Sequence, residues 1–368
     1  MERSPLLETK DLAAGYRKKV IADGICFTVR AGEILTLIGP NGAGKSTVLK
    51  TVAAQLESIS GEIALCGKPL DSLHEKDIAK QLSILFTARM TAERLTCFDA
   101  AAAGRYPYTG MLGLLSEKDR AIVTEALEMT GAAALAEQEF REISDGQRQS
   151  VMLARAIAQE PRVLLLDEPT SYLDISRKLE LLTLLRRLAK KRGIAVVMSL
   201  HELDLAQKFS DQVLCISSGR AQRIGTPEEI FRGDYISELY GIRSGRYDPL
   251  YGTAEPAPPA GDPQVFVIGG GGTAIPVCRR LFRAGIPFAA GVIHENDLDY
   301  PVLAALSTKL ITAPPFEPIP EEAFAAARDC MTQCRSVICT VPSFGTLNRQ
   351  NEALRALAEA AGTLRTAL

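Results

Sequence analysis

The sequence predicts an α/β fold in two units. The larger would hold a mixed sheet core, an antiparallel β layer and a helical subdomain, and the smaller would be a Rossmann-like unit. Three observations predict this. A β-branched apolar run, Ile34-Leu35-Thr36-Leu37-Ile38, turns through Gly39-Pro40-Asn41-Gly42-Ala43-Gly44 into the helix start Lys45-Ser46-Thr47. A second apolar run, Val163-Leu164-Leu165-Leu166, ends on the adjacent acids Asp167 and Glu168. A proline-rich stretch, 243–262, then precedes a fresh alternation of strand and helix patterns over 263–368.

Strand, glycine-rich turn and helix in that order form the setting in which GxxxxGK[ST] acts as a phosphate cradle. Without Cβ atoms, Gly39, Gly42 and Gly44 let the N–H groups from Asn41 and Ala43 through Thr47 curl around a polyphosphate. The helix N-terminus adds partial positive charge beneath it. Lys45 supplies a point charge for the β- and γ-phosphates, and Ser46 a hydroxyl for Mg²⁺. The second run reads as a buried parallel strand, and α/β sheets place ligand chemistry at such carboxyl ends. Asp167 is suited to hold the Mg²⁺ water shell, and Glu168 to orient or deprotonate an attacking water.

Composition narrows the class. The chain has 368 residues, enough for two or three domains with cores of their own. Apolar residues at 46% and charged residues at 23% are ordinary for a globular protein. A net charge of −2 offers no nucleic-acid footprint. The first residues are charged and lack a secretory pattern, and no run reaches the roughly 18 apolar residues of a membrane span. A cytosolic chain is therefore expected. Cys26, Cys66, Cys97, Cys215, Cys278, Cys330, Cys334 and Cys339 show no CxxC or CxH spacing and read as small hydrophobes in a reducing compartment.

In chain order, Leu6 to Leu12 and Ile25 to Arg30 read as strands of the antiparallel layer, and Gly61 to Gly67 as a further short strand. Tyr16, at a turn between the first two, is an aromatic placed to stack on a base. From Ala88 to Ala158 the texture is helical and alanine-rich, with Ser116 as an N-cap and Ile122, Val123, Ala126, Leu127 and Met129 on one buried face. Ile143-Ser144-Asp145-Gly146-Gln147 stands just before a long helix, a second anion-binding spot. Ser171-Tyr172-Leu173-Asp174 leads into an amphipathic helix ending at Arg192. Ile194 to Leu200 is the next central strand. His201 follows it, on the same sheet edge as Asp167 and in reach of a γ-phosphate. Val213 to Ser217 and Arg220 to Ile224 form a terminal hairpin.

Over residues 4–242 this ordered set resembles the ATP-binding subunits of ABC transporters. Gly39 to Thr47 matches Walker A, Ile143 to Gln147 the signature, Val163 to Glu168 Walker B and Ser171 to Asp174 the D-loop. His201 matches the switch histidine and Tyr16 the adenine-stacking A-loop. The segments Ala103-Gly104-Arg105-Tyr106-Pro107-Tyr108, Ile143-Ser144-Asp145-Gly146-Gln147 and Ser199-Leu200-His201-Glu202-Leu203-Asp204-Leu205-Ala206 look like the iron-chelate, haem and cobalamin uptake branch. The resemblance implies a homodimer at the cytoplasmic face of the membrane, with two ATP molecules between its subunits. Ser144, Gly146 and Gln147 of one copy would meet ATP held by Lys45 of the other. Two membrane-spanning permease subunits, and indirectly a substrate-binding protein, would be its partners. Catalysis would use Glu168, His201 and Lys45, the metal would be Mg²⁺ on Ser46 and Asp167, and Asp174 would belong to the D-loop. Soluble relatives in translation or repair usually carry two ATPase units or a long coiled-coil insertion, and neither pattern is present.

Two departures stand out. Asp145 occupies a signature position where most relatives have glycine, placing a negative charge beside the γ-phosphate contact. Thr87 stands where the Q-loop glutamine is expected, so hydrolysis should depend little on that side chain.

The stretch 243–262 reads as an extended linker. After the strand Gln264 to Ile268 comes Gly269-Gly270-Gly271-Gly272-Thr273-Ala274. Gly269, Gly271 and Ala274 satisfy GxGxxA, which makes a dinucleotide or other phosphate ligand arguable there. A ribose-binding acid would fall within His294-Glu295-Asn296-Asp297. A ligand-sensing role, a structural role and a dehydrogenase are the readings open for this unit.

Overall fold

The computed structural model describes residues 4–17, 19–85, 95–110, 113–171 and 173–365. The chain folds as two compact units, Met1–Tyr240 and Gly241–Leu368.

The first unit is built on a ten-stranded sheet. Its strands are β1 (Pro5–Tyr16), β2 (Lys19–Arg30), β3 (Ile34–Ile38), β4 (Ser60–Leu65), β5 (Lys68–Pro69), β6 (Leu82–Leu85), β7 (Val163–Leu166), β8 (Ala195–Ser199), β9 (Gln212–Ser217) and β10 (Arg220–Gly225). Their order is β5-β4-β1-β2-β10-β9-β3-β8-β7-β6. The strands β5, β4, β1 and β2 are the expected antiparallel layer. The strands β9, β3, β8, β7 and β6 run parallel. Every residue of β3, β7 and β8 is buried, which is why these runs are apolar apart from Thr36 and Ser199 rather than alternating. The helix Lys45–Val52 presses Val48, Leu49 and Val52 into one core with Leu12, Ala22, Ile25, Leu165 and Val197.

The helical region carries the cap expected at Ser116 and two more of the same kind. Thr96, Ser116 and Ser144 each cap a helix through a reciprocal box with Asp99, Asp119 and Gln147. The helix after the signature runs Asp145–Ala158, so the signature forms its first turn. Between these helices lies Arg105, 3% exposed. It donates to Asp119 (2.8 Å), to the Ala158 carbonyl (2.7 Å) and to Glu160 (2.8 Å), and its guanidinium lies over the Tyr108 ring.

The second unit is a five-stranded parallel sheet with a hairpin before it. The hairpin is β11 (Gly245–Asp248) with β12 (Thr253–Pro256). The sheet strands are β13 (Val265–Ile268), β14 (Phe288–His294), β15 (Lys309–Ala313), β16 (Ser336–Cys339) and β17 (Leu364–Arg365), in the order β15-β14-β13-β16-β17. Counted within the unit this is the doubly wound order 3-2-1-4-5, with the direction of winding reversing beside β13. Alternation along β13 sends Phe266 and Ile268 into one core with Ala327, Met331 and Leu354. Val265 and Val267 enter the other core with Cys278, Leu281 and Leu303.

The stretch 243–262 therefore differs from the expected extended linker. Residues 245–256 pair as a hairpin inside the second unit, and Glu255 of that hairpin accepts from Arg279 at 2.7 Å. Proline content misled the reading because position matters more than amount: Pro249 sits in the turn between the two strands, Pro256 ends the second of them, and the remaining prolines follow the hairpin.

Arg105→Leu removes a buried cation and leaves Asp119 and Glu160 without it. The expected loss is about 3–5 kcal/mol in the helical region. Hydrogen exchange in the helix Glu117–Met129 would accelerate accordingly, and unchanged protection there would refute the keystone role of Arg105.

Candidate nucleotide site

The sheet order positions the site. Because β8 lies between β3 and β7, the loops leaving all three strands meet along one edge. The end of β3 gives Gly39, with φ +148, and a Cβ added there would stand 1.8 Å from the Ile216 carbonyl oxygen on β9. Only glycine fits that approach. The loop closes into the helix at Gly44, φ +102, and Lys45 points back with 5% exposure. Its ammonium donates to the carbonyl oxygens of Gly39 (2.7 Å) and Pro40 (3.2 Å). Burial lowers the Lys45 pKa, and the charges of Glu168 and Asp167 oppose that fall.

From the same helix start, Ser46 Oγ donates to Asp167 Oδ1 at 3.0 Å. Asp167, 8% exposed, also accepts from Ser199 Oγ at 2.7 Å. Ser199 Oγ in turn accepts the Glu168 N–H at 2.9 Å. One hydroxyl on the last residue of β8 thus fixes both acids at the end of β7. Glu168 has φ +49, a left-handed conformation that a non-glycine residue adopts at a cost of about 1–3 kcal/mol. That turn aims its carboxylate at His201, whose Nε2 lies 2.6 Å from Glu168 Oε1. Ser171 Oγ donates to Glu168 Oε2 at 3.3 Å.

The next residue, Glu202, ties this edge to the helix Ile175–Arg192 through Lys178 and accepts from Thr170 Oγ1 at 2.8 Å. Burial disfavours the Glu202 charge, yet these hydrogen bonds hold its pKa below the usual carboxylate value.

Lys45, Ser46, Asp167, Glu168 and His201 are therefore brought together as expected from the sequence. Ser199 belongs with them, although sequence reasoning gave it no role. Its signal was position, one strand register away from Walker B.

The remaining candidates lie elsewhere in the unit. Asn41 and Gly42 are exposed on the loop, while Ala43 and Thr47 are buried beneath it. Tyr16 ends β1 opposite Lys19 and is 45% exposed. Ser144, Gly146 and Gln147 form the start of their own helix. The Ser144 N–H donates to Gln147 Oε1 at 2.9 Å, and Ser144 Oγ accepts the Gln147 N–H at 3.3 Å. Gln147 is thus engaged in capping. Asp145 pairs with Arg148 at 2.5 Å, so the acid that stood out in the signature has its own counter-charge. Gln149 donates to the Pro169 carbonyl, which links the signature helix to the loop after Walker B. Asp174 caps the following helix, accepting the Arg177 N–H at 2.9 Å. Thr87 and Tyr172 lie outside the described residues.

The glycine loop of the second unit leaves the carboxyl end of β13, and Gly269 packs so closely that an added Cβ would stand 2.6 Å from the Ala274 Cβ. Four N–H groups on and just after this loop are held by carboxylates. The Gly270 N–H donates to Asp299 at 2.8 Å and the Gly271 N–H to both oxygens of Asp297 at 2.9 Å. Asp299 also accepts from Ala274 (3.1 Å) and Ile275 (3.2 Å). Asp299 is 0% exposed, and burial raises its pKa against the lowering effect of these N–H groups. Of the two acids in the segment expected to hold a ribose-binding acid, Glu295 and Asp297, the second sits on the loop backbone instead. The cradle expected at Gly269, Gly271 and Ala274 is filled by the protein's own carboxylates.

Comparison with known proteins bears on both units. The ABC transporter family matches residues 22–171, and the MJ0874 family matches residues 288–365. An uncharacterized ABC transporter ATP-binding protein of Methanocaldococcus jannaschii is 42% identical over 279 residues, covering 76% of this chain and 96% of that protein. The iron(3+)-hydroxamate import ATP-binding protein of Bacillus subtilis is 40% identical over 236 residues, covering 64% of this chain and 88% of that protein. A solved ATP-binding subunit of an ABC transporter is 28% identical with a TM-score of 0.56, covering 67% of this chain and 98% of that one.

Ser199→Ala removes the hydroxyl that fixes Asp167 and Glu168 while leaving Lys45 in place. Turnover is expected to fall about tenfold, equivalent to about 1.4 kcal/mol of barrier, with a smaller change in ATP affinity. Steady-state phosphate release measures it, and wild-type turnover would show the bridge to be dispensable.

Proposed function

Since the chain belongs to the ATP-binding, ATP-hydrolysing proteins of ABC transporters, we propose that it is the motor subunit of an importer for a metal chelate such as a siderophore, haem or a cobamide. The observation that carries the reading is the cluster of Lys45, Ser46, Asp167, Glu168 and His201 on one sheet edge. The hydroxamate-import relative supports the class of cargo. Among the described residues no helix is long and apolar enough to cross a membrane, so the pathway for cargo would come from two permease subunits. This subunit would sit on their cytoplasmic face, and a substrate-binding protein would act on the far side.

The chemistry follows from the geometry. Lys45, held between two carbonyl oxygens, can turn its ammonium to the β- and γ-phosphates by exchanging those acceptors for charged ones. Ser46 and Asp167 offer hard oxygen donors 3.0 Å apart, a set suited to Mg²⁺, which when bound neutralises phosphate charge. Glu168 orients a water for in-line attack, and His201 holds the Glu168 carboxylate and faces the γ-phosphate. Ser144 is exposed and Gly146 half-buried at the start of their helix, which suits a surface offered to the ATP of a second copy. Closure of two copies around two nucleotides would complete each centre, and hydrolysis would release it.

For the second unit, the internally bonded glycine loop favours a structural or dimer-supporting role over dinucleotide binding. A pyrophosphate would have to displace two carboxylates from hydrogen bonds they already hold, one of them fully buried.

Two measurements test these readings. With Glu168→Gln in the full chain, saturating MgATP should convert monomer to dimer in light scattering. A strictly monomeric species, free or with its permease, would end the motor assignment. Titrating the full chain with NADPH, the first unit saturated with ATP, should give no binding tighter than about 1 mM. Micromolar binding would restore the dinucleotide reading.

A further inference from the structure

The phosphate loop is held by a residue from the far end of its unit. Tyr240 is the last residue of both the helix Tyr235–Tyr240 and the first unit. It stands 201 positions from Gly39, and its hydroxyl accepts the Gly39 N–H at 3.0 Å. Burial pushes the Tyr240 pKa up to about 12, so the group is a neutral hydroxyl throughout the physiological range.

Gly39 is constrained on three sides. Its N–H meets Tyr240, its carbonyl accepts from Lys45 at 2.7 Å, and its α-carbon faces the Ile216 carbonyl with no room for a Cβ. These contacts differ in what ATP binding does to them. When Lys45 turns to the phosphates, Gly39 loses its carbonyl partner at the moment when the loop must be rigid. The tyrosine hydroxyl and the packing on β9 are what remain to hold the loop entrance.

We propose that the Tyr240 hydroxyl is a positioning residue of the ATP site, pinning the Gly39 N–H so that the phosphate loop is already in its binding conformation when Lys45 releases Gly39. The helix that ends the first unit then completes a site whose chemistry lies wholly upstream. Tyr240 acts through the backbone of Gly39. It rests on the ATP-binding reading and makes a separate demand of it.

Tyr240→Phe in the full chain removes the hydroxyl and keeps the ring. An unmade neutral hydrogen bond corresponds to about a three- to tenfold rise in the KM for ATP and in the dissociation constant of a non-hydrolysed ATP analogue. Turnover at saturating ATP should stay within about twofold, because Glu168, His201 and Asp167 are untouched. The Gly39 amide proton resonance should move upfield with loss of its acceptor. A role confined to stability would instead lower the melting temperature and leave KM unchanged, and that result overturns the proposal, as would wild-type affinity with wild-type stability. Lys45→Ala is the control. It should lose ATP binding, and if the wild-type chain itself failed to bind the analogue, the family reading rather than the role of Tyr240 would be refuted.

Discussion

The ATP site depends on a single hydroxyl between two strands. Ser199 Oγ donates to Asp167 and accepts from the Glu168 N–H, and it can do so only because β8 is interposed between β3 and β7. A carboxylate as buried as Asp167 needs partners, and it has them from Ser46 below and Ser199 beside it. Fixing Asp167 sets the reach of Ser46, and fixing the Glu168 backbone in a left-handed turn sets the direction of its carboxylate. His201, two residues past Ser199 on the same strand exit, then meets that carboxylate. The strand order is thus what joins the loop that would hold phosphate to the acid that would activate water.

Local chemistry was legible in the sequence and chemistry across the sheet was not. Lys45, Ser46, Asp167, Glu168 and His201 could be named because each stands in a short pattern whose backbone requirements are visible nearby. The β layer and the three buried central strands were legible for the same reason, in their runs of apolar residues. Ser199 and Tyr240 meet partners 31 and 201 positions away, and no local pattern records such a separation. The helix Tyr300–Leu306 has Pro301 in its first turn, where the missing N–H costs nothing. The hairpin 245–256 was missed because proline was weighed by amount instead of position.

The two glycine loops show why a motif is only half of a site. Both leave a parallel strand at its carboxyl end, both place backbone N–H groups in a concave turn, and both therefore require an anionic partner. In the first unit the residues around the loop are a lysine, hydroxyls and acids held at a distance suited to a cation. In the second, the loop after β14 folds two aspartates onto the N–H groups. The need for an anion is met from within the chain. Burial alone would drive Asp299 toward its neutral form, and the backbone donors are what favour its charge. A glycine-rich turn thus marks a place where negative charge is welcome, and its surroundings decide whose charge that is.

The same logic explains how the signature tolerates Asp145. An unpaired carboxylate at the start of a helix that must approach a polyphosphate would repel it at a distance where Coulomb energies reach about 1–4 kcal/mol. Arg148, one turn along, lies against Asp145 and also donates to the Ile143 carbonyl at 3.1 Å. The pair presents little net charge, and the guanidinium fixes the Ile143 carbonyl before Ser144 and the Asp145 carboxylate after it. The substitution of an acid for the usual glycine is therefore accompanied by a clamp on the segment that carries the serine. Repulsion is cancelled locally and rigidity is gained at the position where a second copy would have to be met.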